Sequence, residues 1–219
     1  MSFNPTDILR RGEGPERHPE SDRTDFSLDP DALDPVEGPP RDGIQGLRVT
    51  LDDEAHPPRI VSVSDIHGYL NAGREALLAL TEHPDLPPVV TQDDDGLLHW
   101  AGENYVLVFN GDLIDRGPAN AETVEMAARL IDEAPTGRVR ITFGNHEMAI
   151  MTPAVFGWTD TYSCQLGPTD RRDYLASVEQ GHVVAAYEGY NCIYAHAGRH
   201  RHRDVGRVDM AVIRGLERA

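Results

Sequence analysis

Three short apolar runs each give way at once to a polar cluster. Arg59 to Ser64 (RIVSVS) is followed by Asp65-Ile66-His67-Gly68, Tyr105 to Phe109 (YVLVF) by Asn110-Gly111-Asp112-Leu113-Ile114-Asp115-Arg116-Gly117, and Arg138 to Phe143 (RVRITF) by Gly144-Asn145-His146-Glu147. Runs of this length, rich in Val and Ile, are strand signals. Helical spacing separates them, with Leu70, Leu77 and Leu78 between Tyr69 and His83, then a helix at Ala119 to Ala134 and another starting near Asn145. Residues 84–103 predict a loop with a small hairpin around Leu97 to Trp100. Val183 to Tyr187 and Asn191 to Ala195 predict two more strands joined by a Gly-containing turn. Strands alternating with helices imply an α/β domain whose sheet is covered on its faces. In such a sheet ligands gather at the carboxyl ends of the strands, so the three clusters are expected to converge.

Composition narrows the function classes. The formal charge is −17 over 219 residues, which sets the chain against nucleic-acid backbones and anionic membranes. All 20 basic residues are Arg. An acidic, Lys-free chain resembles proteins adapted to a salty cytoplasm, where the Debye length is about 3 Å at 1 M salt; an Arg bias from a GC-rich genome is the alternative. Residues 1–58 carry 9 of the 16 prolines and 14 acidic residues against 6 Arg, with a short strand candidate at Leu47 to Leu51. They are expected to form a disordered acidic tail, leaving 59–219 as the folded domain. The start has no apolar signal region and no stretch reaches a membrane span, so a cytoplasmic protein is expected. Cys164 and Cys192 have no metal-site spacing and are expected to be small buried hydrophobes.

Each polar cluster alone has an ordinary explanation as a helix cap or a turn. All three in this order, followed by a strand ending in His196-Ala197-Gly198, are similar to the phosphoprotein phosphatase family of calcineurin-like metallophosphoesterases. The resemblance runs from about residue 59 to 199 and implies a metallophosphoesterase-type β-sandwich flanked by helices. The Asp115-Arg116-Gly117 ending of the second cluster favours the serine/threonine phosphatase branch.

The resemblance implies two divalent ions, with Mn expected and Fe or Zn as alternatives, and carboxylate, imidazole and amide ligands suit such metals. Asp65 and His67, two apart, would hold one ion. Asp112 would bridge both, and Asn145 and His196 would hold the second. Two ions roughly 3.5–4 Å apart lower the pKa of a shared water and clamp phosphoryl oxygens. By the same resemblance His146 protonates the leaving alkoxide, Asp115 orients His146, and Arg116 grips the phosphate bidentately. The other histidines are expected to be structural, and Trp100, Trp158 and Tyr162 to pack in the core, with the lining of a substrate groove as the alternative. The expected substrate is a phosphorylated protein or a small phosphate ester. A dinucleoside polyphosphate is the alternative substrate, and a weakly catalytic phosphate- and metal-binding module the alternative class. The family's further His ligand, in a Gly-His-Thr loop, has no counterpart before Ala219, and Arg214 or Arg218 could stand in for its second phosphate-binding Arg. The second metal is therefore expected to bind more weakly, and neither His200 nor His202 is expected to replace the missing ligand.

Overall fold

The computed structural model describes residues 48–49, 57–81, 83–190, 192–197 and 205–217. Four parallel strands form the main sheet in the order β2-β5-β6-β7, with β2 at Arg59–Val63, β5 at Tyr105–Phe109, β6 at Val139–Thr142 and β7 at Val183–Val184. A second sheet orders β1 (Arg48–Val49), β8 (Tyr187–Gly189) and β9 (Cys192–Tyr194) as β1-β8-β9. The remaining pair, β3 (Val90–Gln92) and β4 (Leu98–Trp100), is the expected antiparallel hairpin.

The central strand shows why the layers stack as they do. Every residue of β5 is buried. Leu107 and Phe109 enter the large core beneath the helices, while Val106 and Val108 meet Tyr187, Ile60 and Tyr194 on the other side. Period-2 alternation thus divides one apolar run between two cores, and the result is a sandwich with helices on one outer face. The sheets approach closely at Gly189, where a Cβ would lie 2.1 Å from Ile60 Cδ1.

The helices follow their apolar spacing. In α1 (Leu70–Thr81) Gly73 and Leu77 are buried, and Gly73 packs against Ile66. In α2 (Asn120–Glu133) Thr123, Met126, Ala127 and Leu130 form the buried stripe at i, i+3, i+4 and i+7. Burying a leucine such as Leu130 fully stabilises the fold by about 2 kcal/mol. Four helices follow β6: α3 (Asn145–Met151), α4 (Pro153–Phe156), α5 (Tyr162–Gln165) and α6 (Pro168–Glu179). The last, α7 (Val205–Glu217), buries Val205, Asp209 and Ile213. None of the described helices is long and apolar enough to cross a membrane.

Three expectations need correction. Val183 to Tyr187 is not one strand: β7 ends at Val184, and the chain crosses to the second sheet before β8 starts at Tyr187. Asp209 on α7 accepts the Ala185 N–H at 2.8 Å, holding the crossing residue outside either ladder. The turn after β8 begins at Tyr190 with φ +53°, while Gly189 stays in the strand. Cys192 is exposed and Cys164 half-buried, and both are free thiols. The strand candidate near residue 49 forms as β1; the rest of 1–56, and His200 and His202, lie outside the described residues.

Candidate metal and phosphate site

Because β2, β5 and β6 are parallel, their carboxyl ends lie along one edge, and the first two polar loops join there through backbone hydrogen bonds. Asp65 N donates to Gly111 O (3.1 Å), His67 N to Asp112 O (2.9 Å), Gly68 N to Leu113 O (2.7 Å) and Gly117 N to His67 O (2.7 Å). To make these bonds the chain takes up unusual backbone. Asp65, His67, Asp112, Asp115 and Arg116 all have φ between +51° and +70°, and they are five of the six non-glycine residues with positive φ among those described. Such residues cost of order 1–3 kcal/mol each and persist where the surroundings over-determine them. The end of β9 is tied in by Asn110, whose amide donates to Ala195 O at 3.2 Å while its own Oδ1 accepts from Thr142 Oγ1 at 3.0 Å.

This geometry gathers the donor atoms around Asp112. His67 Nε2 lies 3.5 Å from Asp112 Oδ2 and 3.5 Å from Asp65 Oδ1, and His196 Nε2 lies 3.3 Å from Asp112 Oδ2. Two groups able to hold a metal share that carboxylate: His67, Asp112 and His146, and Asp65, Asp112 and His196. Residues 58–213 match the calcineurin-like phosphoesterase family along this same stretch. The chain belongs to the calcineurin-like phosphoesterase family.

Over 91 residues the chain is 33% identical to the Shewanella-like protein phosphatase 1 of Plasmodium berghei, an overlap of 41% of this chain and 22% of that protein. Among solved structures, the cold-active protein-tyrosine phosphatase of a psychrophilic Shewanella species superposes with TM-score 0.42 at 21% identity, over 65% of this chain and 42% of that one. A protein provisionally described as a diadenosine tetraphosphatase superposes with TM-score 0.42 at 25% identity, over 73% of this chain and 58% of that one. The chain therefore spans well under two thirds of the length of these relatives.

The metals that this family uses fit the residues present. His67 Nδ1–H donates to Ile114 O at 3.0 Å and His196 Nδ1–H to Asn110 O at 3.1 Å, so each ring is held as the tautomer with a lone pair on Nε2. His67 Nε2 is buried with no hydrogen-bond partner, which is costly unless a cation occupies that lone pair. Asp112, 2% exposed, accepts the His146 N–H at Oδ1 (3.1 Å), leaving Oδ2 toward the two histidines. Asn145 opens α3 with its side chain exposed.

His146 Nδ1–H donates to Asp115 Oδ2 at 2.6 Å, both residues being buried, and His146 Nε2 lies 3.5 Å from Arg116 Nη2. Arg116 is exposed, and it lines a cleft with Asp115, His146, Asp160, Thr161, Tyr162 and Gln165.

Several supporting residues had no role assigned from the sequence. Glu147 accepts three N–H groups, from Asp112 (2.7 Å), Leu113 (2.8 Å) and Gly144 (2.9 Å), and so binds the second loop to the third. Burial pushes its carboxyl above the usual range against the pull of those donors. Its place in the Gly-Asn-His-Glu cluster, three residues after a helix cap, is the signal that could have marked it. Ser163 bonds Asp115 from 48 residues away and carries no local signal. Trp158 was expected in the core; it stacks on His146 instead, with ring centroids 4.7 Å apart.

Proposed function

We propose that this chain is a metal-dependent phosphomonoester hydrolase of the phosphoprotein phosphatase branch, acting on a phosphorylated protein or a small phosphate ester. The observation that carries this reading is the sharing of Asp112 by two donor groups, one with His67 and one with Asp65 and His196, where His146 faces Asp112 and is held by Asp115. Asp65, His67, Asp112, Asn145 and His196 would hold two divalent ions, with Mn the first to test. When bound, such ions polarise phosphoryl oxygens and acidify water. Arg116, exposed at the cleft mouth, grips phosphate oxygens through its planar fork of donors. His146 delivers a proton from Nε2 to the leaving alkoxide, while Asp115 holds the ring by Nδ1–H. Every named group acts on the phosphoryl end of the substrate, so a dinucleoside polyphosphate is tested alongside the monoesters.

The experiment is a panel of p-nitrophenyl phosphate, a phosphopeptide and diadenosine tetraphosphate with added Mn, for wild type and His146→Ala. Turnover is expected to need metal, and His146→Ala to lower kcat on the alkyl ester by roughly two to four orders of magnitude. The loss should be much smaller on p-nitrophenyl phosphate, whose leaving group hardly needs a proton. Stoichiometric Mn binding without turnover of any of the three would instead make the chain a binding module.

A further inference from the structure

The Asp115 carboxylate is held from a part of the chain that none of the polar clusters includes. Ser163, fully buried as the second residue of α5, donates its backbone N–H to Asp115 Oδ1 at 2.9 Å and its hydroxyl to Asp115 Oδ2 at 2.8 Å. Oδ2 also takes the His146 Nδ1–H, so three donors address one carboxylate. Thr161 Oγ1 lies 3.0 Å from Ser163 Oγ and can donate to it, freeing the serine proton for Asp115. The turn bearing Ser163 is clamped in its place by Arg171, whose guanidinium donates to the carbonyls of Ile150, Ser163, Cys164 and Leu166. The same segment, residues 156–165, brings Trp158 onto the face of His146, with Phe156 stacked behind it at 4.8 Å.

We propose that Ser163 is a positioning residue for the general acid, acting through Asp115, and that Arg171 sets the turn from which it acts. This rests on the hydrolase reading above and deepens it. The physical reason is rotational. A carboxylate that accepts from His146 alone can swing about its last torsion, because terminal sp³–sp² torsions are broad. The Ser163 N–H on Oδ1 limits that swing, and the hydroxyl on Oδ2 fixes the oxygen that meets His146 Nδ1–H, and with it the direction in which His146 Nε2 points. Ser163 is fully buried and does not line the cleft with Arg116 and His146, so its effect must appear only where His146 matters.

The test measures kcat and KM for an alkyl phosphate and for p-nitrophenyl phosphate, with Mn in excess. It compares wild type, Ser163→Ala, Asp115→Asn and the double variant, with melting curves as the fold control. Ser163→Ala is expected to lower kcat on the alkyl ester about 10- to 100-fold, the size of one lost charge-assisted hydrogen bond, with KM nearly unchanged. On p-nitrophenyl phosphate the loss should stay within about threefold, following the leaving-group dependence of general-acid catalysis. In the Asp115→Asn background the serine substitution should cost little more, because the two act as one unit. Ser163→Cys, which keeps the backbone N–H and replaces the hydroxyl by a slightly larger, weak donor, is the second variant and should show the same pattern. Equal losses on the two esters, additive losses in the double variant, or failure of both serine variants to fold would each overturn the inference. Wild type that turns over neither ester would refute the hydrolase reading, and this inference with it.

Discussion

Gly144 offers the sharpest test of how closely the loops must approach. A Cβ built there would lie 2.1 Å from Asp112 Oδ1, 2.4 Å from Asp112 N and 2.7 Å from Glu147 Oε2. Its φ of −94° is open to any residue, so Gly144→Ala costs nothing in backbone strain and everything in space. Ordinary contact, from 3.4 Å outward, requires Asp112 Oδ1 and the third loop to part by more than 1 Å. That separation stretches His146 N–H to Asp112 Oδ1 and Asp112 N–H to Glu147 Oε2, now 3.1 and 2.7 Å. Overpacking of this kind costs about 1–3 kcal/mol. For a domain of this size that corresponds to a fall in Tm of about 2–12 °C. Activity should fall further than stability, since a 1 Å misplacement of reacting groups costs about 100-fold. The assay is kcat/KM with excess Mn beside a melting curve. Gly215→Ala is the control: that glycine sits in α7 with open space around its Cβ position, and alanine there should raise stability by up to about 1 kcal/mol with activity unchanged. Gly144→Ala within fivefold of wild-type activity would refute the reasoning.

Three further outcomes follow from the same structure. Asp112→Asn should weaken Mn binding at both positions in a calorimetric titration while the protein stays folded, because one carboxylate serves both donor groups; a variant that binds Mn as wild type does at either position would contradict the shared role. His99 joins the hairpin to α2, with Nε2 3.1 Å from Asp93 Oδ2 and Nδ1 2.8 Å from Glu133 Oε1. The Asp93 contact first, and Glu133 second, raise its pKa above 6.5. Its stabilisation is therefore complete below about pH 6.5 and lost as pH rises through the higher folded value. His99→Gln should lower Tm at about pH 6 and much less at about pH 9, and an equal or larger effect at the higher pH would reverse the assignment. Finally, with −17 on 219 residues and no Lys, Tm should rise from low to molar KCl as carboxylate repulsion is screened; a flat curve would leave genomic Arg bias as the explanation.

The three strands and the polar residues at their ends were legible in the sequence because both are local properties. Apolar period and length mark β2, β5 and β6, and parallel strands must deliver Asp65, Asp112 and His146 to one edge. The helix at Ala119 to Ala134 was legible for the same reason, and it forms as α2 over Asn120–Glu133. What the sequence could not show is where one apolar run is divided between partners. Val183 to Tyr187 looks continuous, yet it serves two sheets, and the break depends on Asp209 of α7, a buried acid that also hides that helix's apolar stripe. Nor could it place Ser163, Arg171 or Trp158. Each owes its role to hydrogen bonds or ring contacts across tens of residues, set by how α3 to α6 fold back over the sheet edge. The identity of the donor atoms is written in the chain. Their orientation is decided by non-local contacts, because a carboxylate or an imidazole points only where other parts of the fold supply its hydrogen-bond partners.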